Sequence, residues 1–365
     1  MSDAPGGGDS PKPRRRPRYR GTHPRTFAEK YKEHDPARYP EERTKVLAAG
    51  KTPAGSHVPV LLEEVLEALR PAPGEVAVDA TLGWGGHAEA ILPRLLPGGR
   101  LVGLDVDAAE LPKTEKRLRA LGFGEEVLVV RRLNFAGLPK ALADLGLPGA
   151  DLVLADLGVS SMQLDDPERG FSYKKDAPLD LRMNRERGQP AGVLLSRLKT
   201  GEIEDLLRRH GDEPEAAGIA RRIAEAAQRA AAARTLPRTS DVAAAVESAW
   251  EERSERERRE RLDASLARTF QALRILVNDE MTALETFLRN LPSVLRPGGR
   301  VAVLSFHSGE DRRVKKAFAA GLASGVYAAV SPGVVRPSAG ERRANPRSAP
   351  AKLRWAVLAG GTLPG

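Results

Sequence analysis

Between residues 60 and 156 the apolar positions alternate between two spacings, one helical and one of short unbroken runs. Leu61, Leu62, Val65, Leu66 and Leu69 fall on one face of a helix predicted over Val60 to Leu69. The apolar runs that follow predict strands over 76–79, 101–105, 127–131 and 151–156, and the stretches between them carry helical spacing over 87–96, 109–120 and 137–145. Strands separated by helices imply a parallel sheet covered by helices on both faces. A further buried strand is predicted at VAVLSF, 301–306. It follows a PGGR turn (297–300) that repeats the one before the second strand (97–100).

The stretch between these two sets has another pattern. Residues 193–262 are rich in Ala, Leu, Arg and Glu, show helical faces such as Val242, Val246 and Trp250, and carry no strand signal. That is too long for a connection inside a compact domain, so it reads as a helical domain inserted into the sheet domain. The sheet domain resumes with an amphipathic helix near 270–290. The expected organisation is a basic, largely disordered extension over 1–50, a first part of the sheet domain over 51–190, the helical insert over 191–265, and a second part with a basic tail over 266–365.

Composition narrows the class. A chain of 365 residues with 41% hydrophobic content can bury a full core. No apolar run approaches the roughly 18 residues of a membrane span, and the basic N-terminus has no hydrophobic stretch behind it, so a cytoplasmic protein with no membrane partner is expected. The sequence has no cysteine. Disulfides, thiolate zinc sites, iron–sulfur clusters and a cysteine nucleophile are thereby excluded, including the attack on pyrimidine C6 that methylates cytosine at C5. No metal site is expected. The net charge of +9 is uneven. Residues 1–50 hold 12 basic and 7 acidic residues, and residues 311–354 hold 10 and 2. Basic ends on a mildly acidic body make a plausible footprint for nucleic acid, although charged tails also serve solubility alone.

The candidate chemistry gathers at strand ends. In VAVDATLGWGGH (76–87), Gly83, Gly85 and Gly86 let the backbone turn sharply and approach a ligand. In RLVGLDVD (100–107), Asp105 follows the glycines by roughly 20 residues, where an acid accepts hydrogen bonds from ribose hydroxyls. The loop is GxGG, not GxGxxG, which leaves room for a nucleoside cofactor without pyrophosphate; a tight turn of some other doubly wound fold is the alternative. The fourth strand ends in LADLGVSS (154–161), which brings Asp156 to the same crevice with Ser160 and Ser161 nearby. Asp156 could instead cap the next helix. The irregular stretch 163–184 is a candidate substrate loop. His307, in SFHSGEDR (305–312), ends the last predicted strand beside that of Asp156.

Taken together, HVPVLLEEV (57–65), DATLGWGGH (79–87), LADLGVSSMQLDDPERGFSY (154–173), PLDLRMN (178–184), RTFQALRILVNDE (268–280), LRPGGRVAVLSFHS (295–308) and the tail NPRS…KLR (345–354) resemble the bacterial 16S ribosomal RNA cytosine-N4 methyltransferases of the RsmH or MraW type. The resemblance implies an α/β, class I (Rossmann-like) S-adenosylmethionine-dependent methyltransferase sheet domain with an inserted all-helical domain. It implies S-adenosyl-L-methionine as cofactor, and as substrate a cytidine in the decoding region of 16S ribosomal RNA within the small ribosomal subunit, acted on by a monomer or homodimer. It places Gly85, Gly86 and His87 on the cofactor loop, Asp105 on the ribose, and Phe135, Asp156 and Gln163 among further cofactor contacts. The chain departs from the family at ASLA (264–267), at GDEPEAAGIA (211–220), at Gly309 and in NPRSAPAKLR, all in the helical or RNA-facing segments.

The amine at cytosine N4 is conjugated with its ring and is a poor nucleophile, so an acceptor must draw out its lone pair and take its proton. Asp156 is the candidate for holding the cofactor's methionyl end or the amine, and His307 for accepting the proton directly or through water. DNA methyltransferases acting on cytosine N4 usually carry Ser or Asp, Pro, Pro and an aromatic at this strand end, where this chain has DLGV. Three alternatives remain at this level: a nicotinamide-dependent oxidoreductase, which would need GxGxxG; a cofactor-binding assembly factor without turnover; and an amino-methyltransferase for DNA or another RNA.

Overall fold

The computed structural model describes residues 59–251 and 253–360. The basic extension predicted over 1–50 lies outside them. A first helix, α1 (Leu62–Leu69), precedes an alternating series: β1 (Val76–Asp79), α2 (Gly86–Ile91), β2 (Arg100–Asp105), α3 (Leu111–Ala120), β3 (Leu128–Arg132), α4 (Leu138–Asp144) and β4 (Ala150–Asp156). All four strands lie within a residue or so of the apolar runs that predict them. The helix expected over 87–96 stops at Ile91 and continues as a 3-10 turn, Leu92–Leu95, with a proline in its first positions.

A short helix, α5 (Ser161–Asp165), then leads through irregular chain to six helices. These are α6 (Ala191–Leu195), α7 (Thr200–Gly211), α8 (Ala216–Ala232), α9 (Thr239–Trp250), α10 (Glu255–Asn278) and α11 (Glu280–Val294). The single helix expected near 270–290 is two. Asp279 has φ of 49° and separates α10 from α11, a left-handed conformation that Asp and Asn adopt more cheaply than other non-glycine residues. Asn278 pins the break by donating to the Leu181 carbonyl at 2.7 Å and accepting from the Met183 N–H at 2.8 Å.

The chain returns to the sheet with β5 (Leu295–Ser305), α12 (Ser308–Ala323), β6 (Tyr327–Val330), α13 (Ala339–Ala344) and β7 (Lys352–Leu358). The sheet order is β3-β2-β1-β4-β5-β7-β6, parallel through β5, with β7 antiparallel to both its neighbours. β6 and β7 are not among the strands expected from the sequence, which reads that region as a basic tail. Lys352 and Arg354 interrupt the apolar pattern of β7, and Arg354 pairs with Asp311 at 2.7 Å.

Side chains on successive residues of a strand point to opposite faces, and here the faces build two cores. Val78, Val153, Val301 and Val303 pack on one side with Leu284, Phe287 and Leu291 of α11, whereas Ala77, Leu152, Leu154 and Leu304 pack on the other with Val65, Leu69 and Leu118. A third core lies mainly among the helices. Ile203 and Leu207, Ile219 and Ile223, Val242, Val246 and Trp250, and Phe270 and Leu273 interlock at helical spacing, and Phe171, Leu179 and Leu181 of the irregular stretch join them.

Candidate active site

The carboxyl ends of β1, β2, β4 and β5 open into one cavity of about 810 Å³, within the range of ligand pockets. Its sheet-edge wall begins with the loop after β1. The Ala80 N–H donates to the Leu154 carbonyl and the Leu82 N–H to the Leu104 carbonyl, which straps the loop across the strand ends. Gly85 has φ of 80°, and a Cβ there would meet Leu118 and Thr114 at 3.0 Å, so the position requires glycine. Helix α3 braces the loop from behind: Thr114 Oγ1 donates to the Gly83 carbonyl at 2.6 Å and Arg117 Nη2 to the Trp84 carbonyl at 2.7 Å.

Asp105 at the end of β2 is held by two backbone donors, the N–H of Gly83 and that of Asp107, each at 2.8 Å. Beyond β3, Asn134 caps a turn that carries Phe135 into the cavity, where its ring meets Phe287 edge-on with centroids 5.5 Å apart. Asp156 at the end of β4 has its N–H bonded to Thr81 Oγ1 at 2.6 Å. One carboxylate oxygen, Oδ2, is 3.7 Å from His87 Nδ1; the other, Oδ1, is buried with no hydrogen-bond partner among the described residues. The cap of α5 is Ser160, so Asp156 is not spent on a helix end. His87 Nε2 sits 3.1 Å from the Val60 carbonyl, and burial pushes the ring down to about 4, so it is neutral. Donation from Nε2 to that carbonyl then leaves Nδ1 as an acceptor facing Asp156.

Gln163 lines the cavity, but both ends of its amide are engaged. Oε1 accepts from the Ser160 N–H at 3.0 Å in a capping box, and Nε2 donates to Asp107 Oδ2 at 2.9 Å. Asp107 also pairs with Arg169 at 2.7 Å, with both side chains almost fully buried. Burial pushes the Asp107 carboxyl up, and hydrogen bonds from Arg169 and Gln163 outweigh it, holding the group below its ordinary range.

His307 is not part of the cavity lining. Its Nδ1 accepts from the Gly309 N–H at 3.2 Å, capping α12. Nε2 lies 3.2 Å from Glu310 Oε1, yet it has no partner with hydrogen-bond alignment among the described residues. The residue that reaches the cavity from this turn is Glu310, whose Oε2 accepts from the Phe306 N–H at 2.8 Å. Burial works against ionised Glu310, but the His307 ring, the charge of Arg274 and the Phe306 N–H outweigh it and hold the carboxyl low.

The opposite wall is helical. Ala267, Phe270, Gln271, Arg274 and Asn278 form one stripe of α10 facing the cavity, joined by Phe171 and Tyr173. Tyr173 and Phe270 pack with ring centroids 5.6 Å apart. Arg274 makes a two-pronged pair with Glu280, Nε and Nη2 each 2.8 Å from a carboxylate oxygen.

Asp79, Arg169, Arg274 and Glu310 are absent from the sequence-based candidates. Asp79 did carry a signal, as the acid that ends β1. Arg169 gains its place through a pair with Asp107 62 residues away, Arg274 through a pair across the break between α10 and α11, and Glu310 through bonds inside its own turn.

The acids suit a cationic ligand. Burial raises Asp79 to about 7 with Asp105 repelling it, and raises Asp156 to about 8 with repulsion from Asp79 and Glu310. Crowded carboxylates and an orphaned buried oxygen match the positive methionyl end of S-adenosylmethionine, while Asp105 and Phe135 suit its ribose and adenine.

A seven-stranded sheet of this order with an antiparallel seventh strand, a glycine loop after β1 and acids ending β1, β2 and β4 define a class I S-adenosylmethionine-dependent methyltransferase. The pattern of the MraW methylase family matches residues 54–358. A "Ribosomal RNA small subunit methyltransferase H 1" of Lachnoclostridium phytofermentans is 45% identical, covering 98% of this chain and 97% of the relative. A "Ribosomal RNA small subunit methyltransferase H 2" of Alkaliphilus metalliredigens is 45% identical over 95% and 98%. The chain belongs to the MraW methylase family.

Proposed function

We propose that this enzyme methylates N4 of a specific cytidine in the decoding region of 16S ribosomal RNA, within the small ribosomal subunit and in the cytoplasm, as a monomer or homodimer. The observation that carries this reading is the two-sided cavity: crowded acids and the glycine loop on the sheet edge, aromatic rings and an Arg–Glu pair on the helical side. One wall suits a charged nucleoside cofactor and the other a base taken out of its stack. No helix among the described residues is long and apolar enough to cross a membrane.

S-adenosylmethionine supplies, when bound, a methyl group on a positively charged sulfur. The loop at Gly85, Gly86 and His87 would hold the methionyl end, Asp105 would accept from the ribose hydroxyls, and Phe135 would pack on the adenine. Gln163 acts by fastening the loop above the cofactor to Asp107. Asp156, ionised once a positive charge lies beside it, accepts a hydrogen bond from the N4 amine and draws its lone pair out of conjugation. The residues on both walls would hold N4 in line with the methyl group that the bound cofactor would supply. The N4 proton then passes to Asp156 and on to solvent. His307 reaches that proton only if its ring leaves the α12 cap, so Asp156 is the first acceptor. Alignment of the two reactants contributes most of the rate.

The test is methyl transfer from labelled cofactor to unmodified small subunits, followed by nucleoside identification. N4-methylcytidine at one site is expected, with at least a hundredfold loss in Asp156→Ala. Any other methylated nucleoside overturns the reading.

A further inference from the structure

Among the described residues Arg274 is the one arginine lining the cavity from the helical wall, and its side chain is only 14% exposed. A buried guanidinium needs a partner, and Glu280, itself 10% exposed, takes one edge of it through Nε and Nη2. The pair fixes the plane of the group. Its remaining edge, with Nη1, donates to no protein atom among the described residues. Arg274 and Asp156 line the same cavity, one from the helical wall and the other from the sheet edge, and Glu310 lines it as well. Tyr173 and Phe270 supply aromatic faces beside it.

We propose that Arg274 reads the target base, its free guanidinium edge donating to O2 and N3 of cytosine while Asp156 accepts from N4. Cytosine presents acceptor, acceptor and donor along that edge, the complement of Arg274 and Asp156. Uracil presents N3–H to the arginine and O4 to the carboxylate, so two contacts turn repulsive. Glu280 is a positioning residue that keeps the fork in plane. This assignment rests on the proposed methylation of cytidine N4.

The experiment compares wild type, Arg274→Ala and Glu280→Gln in single-turnover methyl transfer to unmodified small subunits, with cofactor Kd and Tm measured alongside. Arg274→Ala should slow transfer on the order of 10- to 100-fold, the worth of one or two hydrogen bonds to a charged group, with cofactor Kd changed less than twofold. Added guanidinium ion should restore part of the rate at concentrations that leave the wild-type rate unchanged. Glu280→Gln, which keeps the side chain's shape, should show a smaller loss with no change in cofactor Kd, and it carries the test if Arg274→Ala does not fold. Variant rates within twofold of wild type, a loss matched by equal weakening of cofactor binding, or no guanidinium rescue would each overturn the assignment while leaving the proposed function intact. If wild type itself makes no N4-methylcytidine, the proposed function fails first and this assignment with it.

Discussion

The two walls of the cavity are built by different means. The sheet-edge wall consists of turns a few residues long in which backbone groups do the holding: Gly83 and Asp107 donate to Asp105, and Ala80 and Leu82 bond to neighbouring strand ends. The helical wall consists of side chains brought together from segments about a hundred residues apart, with Tyr173 on Phe270 and Asn278 holding Leu181 and Met183. A backbone-built wall tolerates variation in the side chains around it, whereas a side-chain-built wall changes with each substitution. Of the segments where the chain departs from the family pattern, 264–267 reaches the second wall through Ala267, whereas Gly309 follows β5 and 345–354 runs into β7.

The strongest way to break this comparison is to cut what joins the walls. Arg169 pairs with Asp107 at the end of β2 and donates to the Met183 carbonyl beside α10. Arg169→Ala leaves Asp107 buried and unpaired, which should cost about 3–5 kcal/mol of stability by chemical denaturation. A loss under about 1 kcal/mol would mean that the walls fold independently of this link.

A paired substitution sharpens the contrast. Phe135→Ala removes an aromatic face from the sheet-edge wall and should raise cofactor Kd by about 5- to 30-fold while binding to small subunits stays unchanged. Tyr173→Ala should do the reverse, leaving cofactor Kd alone and weakening the productive subunit complex by a similar factor, since base–aromatic stacking is worth about 1–3 kcal/mol. Equal effects of both variants on both ligands would erase the distinction.

The same division governs what the sequence reveals. The ends of β1, β2 and β4 are legible because an apolar run followed by glycine or an acid marks a strand end, and in a parallel sheet such ends converge on one edge. Gly85, Asp105 and Asp156 follow from that rule alone. Asp105 and Asp156 stand on strand ends, and Phe135 lies just after another. His307 also stands at a strand end, but it is the residue before a helix, and the unsatisfied N–H groups of that helix claim its ring. Strand β7 escapes notice because it pairs with strands that are not adjacent to it in the chain and its half-buried positions carry Lys352 and Arg354. Arg274 and Glu280 flank a break at Asp279 that helical spacing does not announce. Their pairing exists only once α10 and α11 have turned on each other.

The smallest expected effect concerns the protons on the sheet-edge wall. Asp156, raised to about 8, and Asp79, raised to about 7, hold protons at neutral pH that the unfolded chain has lost. For an acid whose folded pKa lies above its unfolded value, stability is highest at low pH and falls as pH rises from about 4 to 8. A cation bound beside the carboxylates favours their ionised forms, so cofactor binding should expel protons and grow tighter between pH 6 and 7.5. The limit is about tenfold per pH unit for each proton released. Calorimetry in two buffers of different ionisation heat counts those protons directly. Asp156→Asn should release fewer than wild type and flatten the pH dependence. On the helical wall Glu280 is already paired with Arg274, so Glu280→Gln should leave proton release unchanged, and a change there would make the two walls one electrostatic unit.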